Sequence, residues 1–315
     1  MRNELCGTVW AKVGDPLVYL DDQVALNNKT ATPLNMSIDP NYIIKGVFKD
    51  DATGLDVIVA YNKTTNNILV SAAGTNGFGK DMPDTAEDIY NIGLSQAQQL
   101  FAAGSDFTKL ITDLQNGAAT PPTVVVGGQS LGAAVASYIT LGLTTAVPSL
   151  NDGANNGVPL FAPSQVTGVG LNGPGTQLML NQLGVSSEQT KDVQFLNVVV
   201  QNTANNNSDL VSQTGGNYGF GNTYVWQVNA PDVGNVGSNV WLYHGINGLF
   251  AQGFQQNNGD FQTLVSVNQE DLPHLDTASV SAIMHQMPGM FNVQDNVASL
   301  SSYRSTQLIS HSLIW

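Results

Sequence analysis

The stretch that most constrains the fold runs from Thr123 to Ile139, Thr-Val-Val-Val-Gly-Gly-Gln-Ser-Leu-Gly-Ala-Ala-Val-Ala-Ser-Tyr-Ile. Pro121-Pro122 stops any helix before it. Val124-Val125-Val126 is a short β-branched run of the kind that fills a strand buried on both faces. From Leu131 onward the residues are Ala-rich and nearly all apolar, and a helix without a polar face is a buried one. Between the two lies Gly128-Gln129-Ser130-Leu131-Gly132, a G-x-S-x-G pentapeptide. A strand must turn into a helix within these few residues. Small neighbours at 128 and 132 let the two elements approach, and Ser130 falls on the sharp, strained turn between them. The five residues alone recur by chance in Gly- and Ser-rich chains; the flanking strand and helix give them their weight.

The rest of the chain alternates in the same manner. Asp56–Tyr61 and Ile68–Ala72, joined by the polar turn Asn62–Asn67, predict a hairpin. A helical pattern runs from about Asp84 to Leu114, interrupted at Gly104-Ser105. Val166–Leu171, Val193–Gln201 and Tyr224–Val228 read as further strands. Repeated strand–helix alternation predicts an α/β fold, a mostly parallel central sheet with helices on both faces. No internal repeat or linker divides the chain, so one domain over 1–315 is expected, with 252–315 read as a C-terminal helical extension. The polar loops Asn151–Ser164 and Ala204–Gly221 follow elements of this sheet. In open α/β sheets, sites form beyond the carboxyl ends of the strands; the first loop is also a candidate lid.

Composition excludes several functions. Of 315 residues, 42% are hydrophobic and 11% charged, with 10 basic against 24 acidic side chains and a net charge of −14. A field of that sign repels nucleic acid and anionic headgroups, and a neutral substrate suits it better than a phosphorylated one. Cys6 is the only cysteine, so neither an intrachain disulfide nor a four-cysteine zinc site can form. No apolar run reaches the roughly 18 residues of a transmembrane helix. The N-terminus Met1-Arg2-Asn3-Glu4-Leu5 has no apolar core of a Sec signal, so the expectation is a cytoplasmic protein or one exported without a cleaved leader. Gly74–Asp81 nearly spells a P-loop, but Asp81 stands where Ser or Thr must hold Mg²⁺, and Pro83 falls where the phosphate-binding helix should propagate. There is no H-E-x-x-H, cysteine pair or EF-hand loop, and no cofactor is expected. Trp226, Trp241, Phe250 and Phe254 could line an acyl pocket, although such spacing more often marks core.

At the G-x-S-x-G turn the chain resembles the α/β-hydrolases, and more closely the lipase class 3 type, over roughly Val57–Phe250. Val124–Tyr138 is similar to that family's nucleophile region. Ile68–Thr75 is similar to its strand ending in a Gly-Thr oxyanion loop, with Ala73 where the family usually has Arg. Asp88 resembles part of its acidic segment after that loop. The resemblance implies ester hydrolysis by a Ser-His-Asp mechanism.

A serine hydroxyl needs a base, and the base an orienting acid; chain order in this fold is Ser, acid, His. Ser130 is the candidate nucleophile. The Leu131 N–H, at a helix N-terminus, is a candidate oxyanion donor, and the resemblance makes Thr75 the second. Asp209, in a polar loop after a strand, resembles the family's triad acid, with Asp192 and Asp232 as rivals. His244, His274, His285 and His311 all follow Asp209. His244, in a loop-to-helix setting, is preferred; His274 and His311 stay open, and His285 reads as structural. An acyltransferase with the same three residues, or a non-catalytic binding module on this scaffold, are the alternatives. A lipid or small-molecule ester is the expected partner.

Overall fold

The computed structural model describes residues 13–14, 41–50, 53–74, 91–151, 158–204, 207–209, 211–229, 243–244 and 264–268. Nine strands form one sheet: β1 (Tyr42–Asp50), β2 (Leu55–Asn62), β3 (Asn67–Ala72), β4 (Thr123–Gln129), β5 (Val166–Leu171), β6 (Gln194–Asn202), β7 (Asn207–Ser208), β8 (Asn222–Val228) and β9 (Leu264–Val267). The order is β1-β2-β3-β4-β5-β6-β8-β9, with β7 folded back on β6. From β3 through β4, β5 and β6 to β8 every neighbour pair is parallel, while β1, β2 and β9 join antiparallel at the flanks. This is the mostly parallel α/β sheet the sequence predicts.

The helices are α1 (Leu94–Leu100), α2 (Asp106–Gly117), α3 (Leu131–Thr144), α4 (Pro148–Asn151), α5 (Gln177–Gln182) and α6 (Ser187–Thr190). The break expected at Gly104-Ser105 separates α1 from α2, and Ser105 caps α2 by accepting from the Thr108 N–H. None of these helices is long and apolar enough to cross a membrane.

The central strands carry buried apolar runs on both faces. Val57, Val59, Ile68, Val70, Val124 and Val126 point into one core with Phe101, Phe107, Ile139 and Leu141 from the helices. Their alternates Ile58, Ala60 and Leu69 join Ile44 in a second buried cluster on the other face. Helix α3 lies across β3, β4 and β5, and all fourteen of its residues are buried. Its serine and threonine side chains bond back to their own helix: Ser137 Oγ to Ala134 O, Thr140 Oγ1 to Ala136 O and Thr144 Oγ1 to Thr140 O, each 2.8 Å.

Two features differ from the expectations, and one strand, β1, has no counterpart among them. Strand β1 carries no clean alternation, because its register shifts between Ile44 and Gly46; a Cβ at Gly46 would lie 2.5 Å from Leu110 Cδ2, so a larger residue there would displace that side chain. Leu264–Val267, inside the stretch read as a helical extension, is the edge strand β9 paired to β8. Asn151, taken as the start of a polar loop, is instead buried at the end of α4. It accepts from Val147 N and donates to Gly142 O and Thr145 O, all at 2.9 Å, and so ties off the C-terminus of α3. Residues 152–157 of the candidate lid lie outside the described residues.

Candidate active site

The turn between β4 and α3 is built by contact of main chain with main chain. A Cβ on Gly128 would lie 2.1 Å from Gly132 O, and one on Gly132 would lie 2.3 Å from Ala72 O. The two glycines therefore let β4, α3 and the carboxyl end of β3 meet at distances no side chain permits. Ser130 sits between them at φ 59°, ψ −133°, a backbone state that costs a non-glycine residue on the order of 1–3 kcal/mol. Its N–H donates to Leu171 O on β5, and its carbonyl accepts from Ala133 N, both at 3.0 Å. The hydroxyl makes no cap bond to α3, which leaves it for another partner.

That partner comes from a residue 114 positions away in the chain. Ser130 Oγ–H donates to His244 Nε2 at 2.7 Å, and His244 Nδ1–H donates to Asp209 Oδ1 at 2.9 Å. A carboxylate only accepts, so the hydrogen belongs on Nδ1 and the lone pair of Nε2 faces the serine. The three residues are 3%, 2% and 0% exposed, so this chain of bonds runs in a low-dielectric interior where each is stronger than in water.

Asp209 is delivered by a fold-back. Strand β6 ends at Asn202, and β7 pairs antiparallel with it through Gln201↔Ser208 and Asn202↔Asn207. Asp209 follows at once, with its N–H on Val200 O at 3.4 Å. Its second oxygen, Oδ2, accepts the Ser212 N–H at 2.9 Å, and Ser212 Oγ returns a bond to Asp209 O at 2.7 Å. Tyr218 stands nearby and donates to Gly173 O at 3.2 Å. Burial first, and the charge of Asp209 second, push its phenol far above the ordinary tyrosine range, against a smaller opposing effect of Ser212. Tyr218 thus stays neutral and adds no second anion beside the carboxylate.

The structure brings Ser130, Asp209 and His244 together. Leu131 opens α3 directly after the serine. Asp192 lies before β6, at the opposite end of that strand from Asp209 and roughly 26 Å along it; it lines a cavity of about 750 Å³ with Lys191, Gln194 and Asn222. Thr75, Asp88, Asp232, His274, His285, His311, Trp241, Phe250 and Phe254 lie outside the described residues. Trp226 is fully buried on β8. Sequence reasoning did not single out Gln129, Asn172, Asn202 or Ser212, whose signal is burial rather than motif.

Ser130 at the turn after β4, Asp209 beyond β6 and His244 after β8 keep the chain order of one fold. The fold is that of an α/β-hydrolase. No protein-family model and no curated protein matches the chain. Among solved structures it is similar to the triacylglyceride lipase of Rhizomucor miehei, at 13% identity over 65% of this chain and 74% of that one, with a TM-score of 0.41. It is also similar to lipase II from Rhizopus niveus (16% identity, 66% and 77%, TM-score 0.37). A third likeness is to the lipase from Rhizopus microsporus var. chinensis (12%, 71% and 79%, TM-score 0.39).

Proposed function

We propose that this protein hydrolyses carboxylic or lipid esters through an acyl-enzyme formed on Ser130. The observation that carries the reading is the buried relay Ser130 Oγ–His244 Nε2, His244 Nδ1–Asp209 Oδ1 at 2.7 and 2.9 Å. In the first step Ser130 Oγ attacks the ester carbonyl while its proton passes to His244 Nε2, and Asp209 stabilises the imidazolium. The tetrahedral oxyanion then expels the alcohol, which takes the proton from His244. In the second step water attacks the acyl carbonyl, gives its proton to His244, and releases the acid and the free serine.

Negative charge develops on the carbonyl oxygen in both steps, so fixed donors aimed there lower the barrier. The Leu131 N–H at the start of α3 and the Thr75 N–H are assigned that role. What supports Thr75 is its place in the chain, just past the carboxyl end of β3, whose Ala72 and Ala73 pack against Gly132. A single α/β-hydrolase domain, acting without a cofactor, fits this reading.

The test is covalent labelling with a fluorophosphonate probe. Wild-type protein is expected to be labelled and Ser130→Ala is not, and hydrolysis of a short-chain nitrophenyl ester should follow the same pattern. Folded wild-type protein that neither labels nor hydrolyses the ester sinks the proposal. Among the histidines, only His244→Ala should abolish turnover.

A further inference from the structure

His244 is not part of the sheet, and both nitrogens of its ring are engaged in bonds whose character changes as a proton moves. Something else must hold the ring in register with Ser130. Three buried carboxamides at the carboxyl ends of adjacent parallel strands converge on Tyr243 and His244. Gln129, the last residue of β4, donates through Nε2 to His244 O at 2.8 Å. Asn172, just past β5, donates through Nδ2 to Tyr243 O at 3.1 Å and, more weakly, to His244 O at 3.5 Å. Asn202, the last residue of β6, donates through Nδ2 to the Tyr243 hydroxyl at 3.4 Å. A backbone carbonyl only accepts, so the amide nitrogens of Gln129 and Asn172 must face it.

We infer that Gln129, Asn172 and Asn202 are positioning residues that hold His244 against Ser130 through the Tyr243–His244 main chain and the Tyr243 ring. This rests on the hydrolase reading above. Two further observations support it. Gln129 is fully buried, and its Oε1 has no hydrogen-bond partner among the described residues. The side-chain bond it makes among the described residues is the one from its nitrogen to His244 O. Asn172 sits at φ 46°, a left-handed state that asparagine tolerates better than most residues. Its Oδ1 accepts Val200 N at 2.9 Å, and Val200 O in turn accepts Asp209 N. One side chain therefore ties the strand that presents the acid to the segment that presents the base.

The test replaces each donor while keeping its shape. Gln129→Met removes the N–H. Asn172→Asp removes the N–H but keeps the acceptor for Val200, and it gives the same readout if Gln129→Met does not fold. The expected result is a kcat lower by about 10-fold to 100-fold with KM within about twofold, since small misplacements of a catalytic group cost this much. For Asn172→Asp the ratio to wild type should rise as pH falls, because a protonated carboxyl regains a donor. A second readout does not depend on turnover: the His244 Nδ1–H proton resonance, expected to be sharp and slow to exchange in wild type, should broaden or vanish in both variants. Wild-type kcat together with an unchanged resonance overturns the inference and leaves the carboxamides as packing. If wild-type protein neither labels at Ser130 nor turns over, the hydrolase reading fails, and the proton resonance still decides whether these residues hold the histidine.

Discussion

Gly128→Ala puts one methyl group where β4 and α3 touch. The added carbon would lie 2.1 Å from Gly132 O, 2.3 Å from Gly132 C and 2.8 Å from Ala133 N, against about 3.4 Å for an ordinary contact. All three atoms are main chain, so no rotamer change relieves the clash, and strand and helix must part by 1.3 Å. Neither can move freely. Gly128 pairs with Ala72 on one side and Gly170 on the other, and α3 is buried along its whole length. Overpacking of this kind costs typically 1–3 kcal/mol, and a collision of main chain with main chain belongs at the upper end, about 3 kcal/mol. That is a large share of the 5–15 kcal/mol of a typical domain.

The functional cost should exceed the loss of folded molecules. Ser130 and Leu131 lie on the part of the chain that must shift, and a displacement of about 1 Å at a reacting group costs on the order of 10²-fold in rate. Gly117→Ala is the control: nothing lies within 4 Å of its added Cβ, and at the end of α2 the change should be neutral or stabilise by up to about 1 kcal/mol. Urea unfolding followed by circular dichroism gives the stability difference. Initial rates on a short-chain ester, corrected for folded fraction, give the second number. A Gly128→Ala protein with the wild-type urea midpoint and wild-type labelling rate refutes the claim that these glycines are required by close approach.

Asp209→Asn keeps the shape of the acid but lets an amide N–H face His244 Nδ1, which favours the wrong tautomer; kcat on the same ester should fall by roughly 10³- to 10⁴-fold with little change in unfolding midpoint. Asn151→Ala removes three hydrogen bonds at the end of α3, two of them buried and one part-buried, and should cost about 2–3 kcal/mol by thermal or urea unfolding, with kcat unchanged well below Tm. Burial holds the Tyr138 and Tyr218 phenols far above the ordinary value of 10.0. The folded state keeps protons that the unfolded state releases above that pH, so this contribution is complete below pH 10 and declines as pH rises, by up to about 1.4 kcal/mol per pH unit for each tyrosine. Tyr138→Phe should flatten that alkaline decline, measured as urea midpoint against pH. Because the Tyr138 hydroxyl has no hydrogen-bond partner among the described residues, the same variant should gain about 1 kcal/mol at neutral pH.

What could be read from the sequence was local. The valines of β4, the apolar length of α3 and the two glycines around Ser130 are neighbours in the chain, and each imposes its requirement on the next few residues. The hairpin of β2 and β3 was legible for the same reason. Strand β1 was not, because a bulge and Gly46 break its alternation to make room for Leu110 of α2, a contact more than sixty residues away. Strand β9 was not, because its pattern at the sheet edge is only partly buried and resembles a stretch of no particular structure. The histidine shows the limit most directly. Chain order left every one of the four eligible, and what singles out His244 is that its ring lies between Ser130 and Asp209, a fact about three segments and not about any one.

The carboxamides carry the same lesson into energetics. In a chain so poor in charge and so rich in Asn and Gln, nothing in composition separates Gln129, Asn172 and Asn202 from the many that cover the surface; only their burial at consecutive strand ends does. Their neutrality has a consequence for the relay. A buried lysine or arginine in any of these places would compete with His244 for the Asp209 carboxylate, and another carboxylate would share its proton. Dipolar donors can fix the main chain of Tyr243 and His244 without doing either. Among the described residues, the formal charge beside the histidine is that of Asp209, held on one oxygen by the ring and on the other by the Ser212 N–H, with Tyr218 kept neutral nearby. In the proposed reaction, positive charge arriving on His244 as it takes the serine proton would meet this oriented anion, which is the electrostatic condition that two-step acyl transfer requires.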